Sequence, residues 1–157
     1  MSVTTYAGLS QEVRDRVAGE LQPLLADLIT LSLQGKQAHW NVVCPLFSPV
    51  HTQLDKIVDD ARVWSDDVAE RMVAVGVPAA GQATDLVKGS SLEPITSGSV
   101  DDRQAISLIA ERIAAVTSRA RLSMDRLGEL DLASQDLVIE IVRGLEKHLW
   151  MLRAQQQ

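Results

Sequence analysis

Two histidines and three carboxylates stand in this chain at spacings that suit a transition metal. His51 and Asp55 are four residues apart, Asp66 and Glu70 repeat that interval, and His39 lies just upstream. Side chains four apart on a helix share a face. At ~100° per residue, Asp55, Asp66 and Glu70 fall about 40°, 60° and 100° around the axis from His51, so the four form one broad stripe. Mixed imidazole and carboxylate donors suit iron, manganese or zinc, and the absence of thiolate disfavours a structural zinc site. The bland alternative is a surface His–Asp pair and a solvated acidic face.

One chain cannot close such a site by itself. Asp55 and Asp66 are separated by eleven positions, roughly 16 Å along a helix, whereas metal–ligand bonds measure only ~2.0–2.2 Å. A site at the centre of a bundle would draw on a Glu-x-x-His pair, but Glu146 and His148 are two apart. An antiparallel, two-fold contact between second helices of two copies resolves this, because the His51/Asp55 end of one then faces the Asp66/Glu70 end of the other. The axis would cross near residue 60, and Arg62, close to it, is expected to form a salt bridge across the pair.

Four helices must carry these residues. The first is predicted over residues 10–38, where Leu21, Leu24, Leu25, Leu28, Ile29 and Leu33 repeat at intervals of three and four. Pro23 is expected to set off a short N-terminal turn, and residues 41–47 read as a connection. Ser48-Pro49 predicts the start of a second helix running to about Val75, where Gly76 and Pro78 stop it. Residues 78–99, rich in Gly, Ser, Pro and Thr, read as a long crossover with one helical turn near residues 84–88. A third helix follows Ser99, with Asp101 and Asp102 at its positive end, and fades near Gly128. Ser134 is the expected cap of a fourth, striped by Leu137, Val138, Ile141, Leu145, Leu149 and Leu152. The pattern contains no strand signal and no internal repeat. This is an all-α, ferritin-like four-helix bundle with a long crossover between helices 2 and 3, one domain over residues 1–157 with a flexible segment at 1–9.

Composition agrees. The chain of 157 residues is 46% hydrophobic, 23% charged and only 3% aromatic, which suits helix packing. No apolar run approaches the ~20 residues of a membrane span, nor does a secretory signal appear at the N-terminus. One cysteine, Cys44, excludes an internal disulfide and points to a reducing cytoplasm. A formal charge of −6, with no Lys or Arg before Arg14, argues against coating nucleic acid.

The residues also match a family. The stretch Lys36-Gln-Ala-His39-Trp40-Asn41-Val42-Val43-Cys44-Pro45-Leu46-Phe47, then His51-x3-Asp55 and Asp66-Asp67-x2-Ala69-Glu70-Arg71, resembles the Dps-type mini-ferritins. The likeness continues through residues 131–137 and Leu145-Glu146-Lys147-x2-Trp150. It implies a hollow homododecamer that oxidises Fe(II), preferably with hydrogen peroxide, and stores ferric oxide in its cavity. It implies ferroxidase ligands His39, His51 and Asp55 from one subunit and Asp66 and Glu70 from its partner. Trp40 is then either a redox-active neighbour of the site or filler of the dimer interface, while Trp64 and Trp150 are expected to pack. Cys44 replaces the glycine usual in the family. Asp125, Glu129, Asp131 and Asp136 are candidates for an iron channel at a three-fold axis, or else a solvated helix end. Two other functions remain open: a nucleoid-associated DNA-protecting protein, which the missing basic tail disfavours, and a metal-assisted hydrolase using the same site.

Overall fold

The computed structural model describes residues 7–156. The N-terminal segment expected to be flexible therefore lies largely outside the described residues. Five helices follow one another: α1 (Gln11–Asn41), α2 (Phe47–Ala74), α3 (Ala83–Gly89), α4 (Asp102–Leu127) and α5 (Leu132–Arg153). α1 packs along α2 and α4 along α5, while contacts of α1 with α4 and of α2 with α5 join the two hairpins. Fully buried Leu21, Leu24, Leu28, Ile57, Ile113 and Ile141 form the shared core. Each is worth about 1.5–3 kcal/mol of transfer free energy. Among the described residues there is no strand, only one parallel bridge between Val42 and Val100, and no helix is long and apolar enough to cross a membrane.

The helix ends correct the sequence reading in three places. Pro23 lies inside α1 without interrupting it. A proline costs about 3 kcal/mol in a helix interior, and the buried leucines on either side of it offset that cost. α2 starts one residue before Ser48, its N-cap being Leu46 with no side-chain bond. Pro49 then falls in the first turn, where its missing N–H leaves no carbonyl unpaired. α5 is capped by Asp131, whose carboxylate accepts from the Ser134 amide at 3.0 Å and from the Ser134 hydroxyl. Asp is as strong a cap as Ser. The other signals hold. Asp101 and Gln104 form a reciprocal capping box at α4, and Gly76 adopts φ +83° just beyond α2, the left-handed conformation that glycine tolerates best.

The crossover is anchored at two points. Val43 N–H donates to Val100 O (2.9 Å) and Val100 N–H to Asn41 O (3.0 Å), which fixes its end beside the α1–α2 connection. Midway, fully buried Asp27 accepts from the Ser90 hydroxyl (2.9 Å), the Ser91 amide (2.7 Å) and the Ser91 hydroxyl (3.0 Å) and pairs with Arg119 (3.2 Å). Such a carboxylate, fully hydrogen-bonded and paired, is one of the few ways to keep a charge inside a bundle.

Candidate metal centre

The α1–α2 hairpin folds back over residues 42–46, so positions near its tip meet in antiparallel register. The helices approach closely there, since a Cβ on Gly35 would lie 2.7 Å from Val58 Cγ2. That approach brings His39, buried at the end of α1, against half-exposed His51 in the second turn of α2. Their rings stack with centroids 3.5 Å apart, and the Phe47 ring lies tilted against His51 at 4.6 Å.

Hydrogen bonding sets the chemistry of the pair. His39 Nδ1 is 3.0 Å from the backbone oxygen of His51, and His51 Nδ1 is 3.0 Å from the backbone oxygen of His39. A carbonyl oxygen only accepts, so both Nδ1 atoms carry the proton, and in the neutral rings each Nε2 keeps a free lone pair. A metal-ligating histidine takes this form, with the second nitrogen tied back to the protein. Asp55 completes the group, 3.3 Å from His39 Nδ1. One ligand atom from each of His39, His51 and Asp55 falls within 4.8 Å of the others, against the roughly 3.4 Å that separates two donors around a tetrahedral ion.

Lys36, one turn before His39, pairs with Asp55. Its hydrogen bond is the main reason the Asp55 carboxyl titrates below its ordinary 3.8, with the two histidines adding to the effect. The ammonium thus occupies a position in which a bound cation would compete for the same oxygen. The sequence motif contains Lys36, but spacing alone attached no role to it, because its partner lies 19 residues away on the next helix.

The remaining candidates stand apart. Asp66 and Glu70 are exposed on α2, and among the described residues neither joins the His39/His51/Asp55 cluster. Trp40 projects into solvent, 69% exposed, and Val43, Leu46, Phe47 and Val63 are also exposed. Large apolar side chains exposed on and beside α2 are the expected appearance of a face that another copy covers.

The comparisons with known proteins agree with the fold and the motifs. The Ferritin-like domain family matches residues 18–157. A DNA protection during starvation protein from Mycolicibacterium smegmatis is 33% identical over 98% of this chain and 84% of its own length. The structure of Dps from Microbacterium arborescens in the high iron form superposes with a TM-score of 0.89 at 35% identity, over 94% of this chain and 96% of that one. The chain belongs to the Dps-type mini-ferritins of the ferritin-like family. The fine tangled pili major subunit of Haemophilus ducreyi is a further relative of this mini-ferritin, 35% identical over 96% of this chain and 79% of its own length.

Two expectations for the mini-ferritin need correction. Trp150, expected to pack, is 68% exposed, because the buried stripe of α5 passes through His148 and Leu152 on either side of it. Asp131 does not stand free among channel carboxylates: it pairs with Arg71, which also donates to Ser134 Oγ at 2.9 Å. Asp125, Glu129 and Asp136 are exposed near it. Trp64 does pack, seated over Gly144, where a Cβ would come within 2.2 Å of its ring.

Proposed function

We propose that this mini-ferritin oxidises Fe(II) at two equivalent sites in each two-fold pair of chains and stores the ferric product in a hollow dodecamer. The reading rests above all on one observation: the reciprocal bonds that fix both histidine tautomers and leave each Nε2 free, in a group whose third member is Asp55. Asp66 and Glu70 supply the second half of each site from the partner chain, and Arg62 bridges the two chains near the axis. Iron is the substrate and the cargo. The carboxylates offset the charge of the ferric product, while the imidazoles complete its coordination. Hydrogen peroxide is the preferred oxidant. Two Fe(II) each give up one electron, the O–O bond breaks, and with two protons both oxygens leave as water, so no hydroxyl radical is released. Trp40, beside His39, intercepts a stray oxidising equivalent or is covered by the partner chain. The protein works in the reducing cytoplasm, as lone Cys44 suggests.

The experiment adds Fe(II) and peroxide to the assembled protein and follows the first oxidation and the ferric core. A core should form inside a twelve-chain particle, and His51→Ala or Asp66→Ala should slow the first phase. Unchanged kinetics in both variants would overturn the assignment. A second reading follows from the name of the Mycolicibacterium smegmatis relative, DNA protection during starvation protein. With a net charge of −6, binding to duplex DNA should be weak and confined to low salt, which a gel-retardation series across salt concentrations measures.

A further inference from the structure

On the face of α2 turned half a revolution from His51, a groove of about 1040 Å³ runs between the first half of α2 and the last half of α5. Two cross-helix rungs mark it. At one end, His148 Nε2 lies 2.8 Å from Asp60 Oδ2. At the other, Gln155 Nε2 donates to Gln53 Oε1 at 2.7 Å. Gln53 and Asp60 are two turns apart on α2, and Gln155, just past the end of α5, is seven residues beyond His148, so the rungs are separated by about 10 Å. Pro49, Met151 and the exposed indole of Trp150 provide apolar wall between them, and Lys147 stands exposed on the rim.

Each rung leaves one polar atom without a partner: His148 Nδ1 and Gln53 Nε2. His148 is only 6% exposed, and a buried polar atom left unpaired is destabilising. Their chemistry differs. Asp60 is held ionised: burial pushes its carboxyl up, but hydrogen bonds from Lys56 and His148 bring it below the ordinary range. An ionised carboxylate only accepts, so His148 Nε2 carries the proton and, in the neutral ring, Nδ1 offers a lone pair. Gln53 Nε2 offers N–H. The groove therefore asks for a hydroxyl donor at one end, an acceptor about 10 Å away, and a flat apolar body between.

We infer that this groove is a binding site for a small phenolic acid, its hydroxyl donating to His148 Nδ1, its ring lying against Met151 and Trp150, and its carboxylate accepting from Gln53 Nε2. Both unpaired atoms are shielded from water in the ligand-free chain, so binding requires the Gln53–Gln155 rung to part at one end and the Asp60–His148 rung to shift at the other. Gln155 is suited to that motion, being exposed and just beyond the end of α5. The site shares no residue with the His39/His51/Asp55 cluster.

The test is calorimetric titration of the intact, assembled protein with three probes. These are 3-(4-hydroxyphenyl)propanoate, its analogue without the hydroxyl (3-phenylpropanoate), and its analogue with an alcohol in place of the acid. The phenolic acid should bind at least about tenfold more tightly than either, because a site built to pair a hydroxyl rejects the analogue that lacks it. His148→Phe should abolish the preference for the hydroxyl, Gln53→Leu the preference for the carboxylate, and Gln155→Ala should tighten binding by opening the rung. Three probes binding alike, no heat up to millimolar phenolic acid, or a hydroxyl preference that survives His148→Phe would each overturn the proposal. The probe series on the unaltered protein decides it even if the His148 variant fails to fold.

Discussion

If each metal site is shared between two chains, lesions in its two halves should complement each other. His51→Ala damages one half-site and Asp66→Ala the other, so each variant alone carries only damaged sites. In a mixed pair, one site joins the intact His39/His51/Asp55 group of the Asp66→Ala chain to the intact Asp66/Glu70 of the His51→Ala chain. The second site collects both lesions. Random pairing from equal amounts makes about half of the pairs mixed, and one of two sites in each is whole, so about one quarter of the sites return. The geometry leaves no route to recovery within a chain, because roughly 16 Å of continuous helix separates Asp55 from Asp66. Weakening only the outer support of a metal ligand costs about 10–100-fold, and losing a ligand should cost at least as much, so the recovered quarter will stand clear of the parents. The assay co-assembles the two variants with different affinity tags, verifies mixed particles by native mass spectrometry, and measures the initial rate of Fe(II) oxidation. Verified mixed particles that oxidise no faster than the mean of their parents would refute the shared site. Wild-type rates in either parent would refute the ligand assignment.

Three further outcomes follow from local geometry. Lys36→Met removes the ammonium that competes for Asp55, so Co(II), as a redox-inert probe, should bind about two- to fivefold more tightly; weaker binding would make Lys36 an organiser of the site instead. Burial raises the Asp131 carboxyl, but bonds from Ser134 and Arg71 hold it below 3.8 overall. A depressed folded-state pKa stabilises above the unfolded value and loses that contribution as pH falls through the folded one. Asp131→Asn should therefore cost about 1–3 kcal/mol near neutral pH, and the gap from the unaltered protein should close below pH 3.8 in denaturant melts. Gly144→Ala drives a methyl into the Trp64 ring and should cost about 1–3 kcal/mol by overpacking; adding Trp64→Leu should restore most of the loss in thermal melts.

The parts of this protein legible from its sequence are those governed by the helical repeat and by short-range chemistry. The leucine stripes of α1, the capping box at Asp101, the stop at Gly76 and the short α3 within the crossover all follow from residues within a few positions of one another. So does the division of the five candidate ligands into two groups, because the rise per residue is the same in every α-helix. The errors at Ser48 and Ser134 were local too. Asp131, a second good cap, lay three positions before Ser134, while at α2 no side chain caps the helix and where the chain enters the bundle set the start at Leu46.

Only the tertiary structure decided what each side chain meets. His39 and His51 exchange bonds with each other's carbonyls because the hairpin folds back at residues 42–46, and that exchange, invisible in spacing, leaves the Nε2 of each neutral ring free. Lys36 finds Asp55 across the same hairpin, Arg71 takes Asp131 out of the acidic cluster, and Asp60 meets His148 from 88 positions away. Pro23 stays helical because packing outweighs its local cost. Periodicity says which face of a helix is buried. It carries no information about the register in which two faces meet, and that register determines which nitrogen is free, which carboxylate is already paired, and which polar atom is left without a partner.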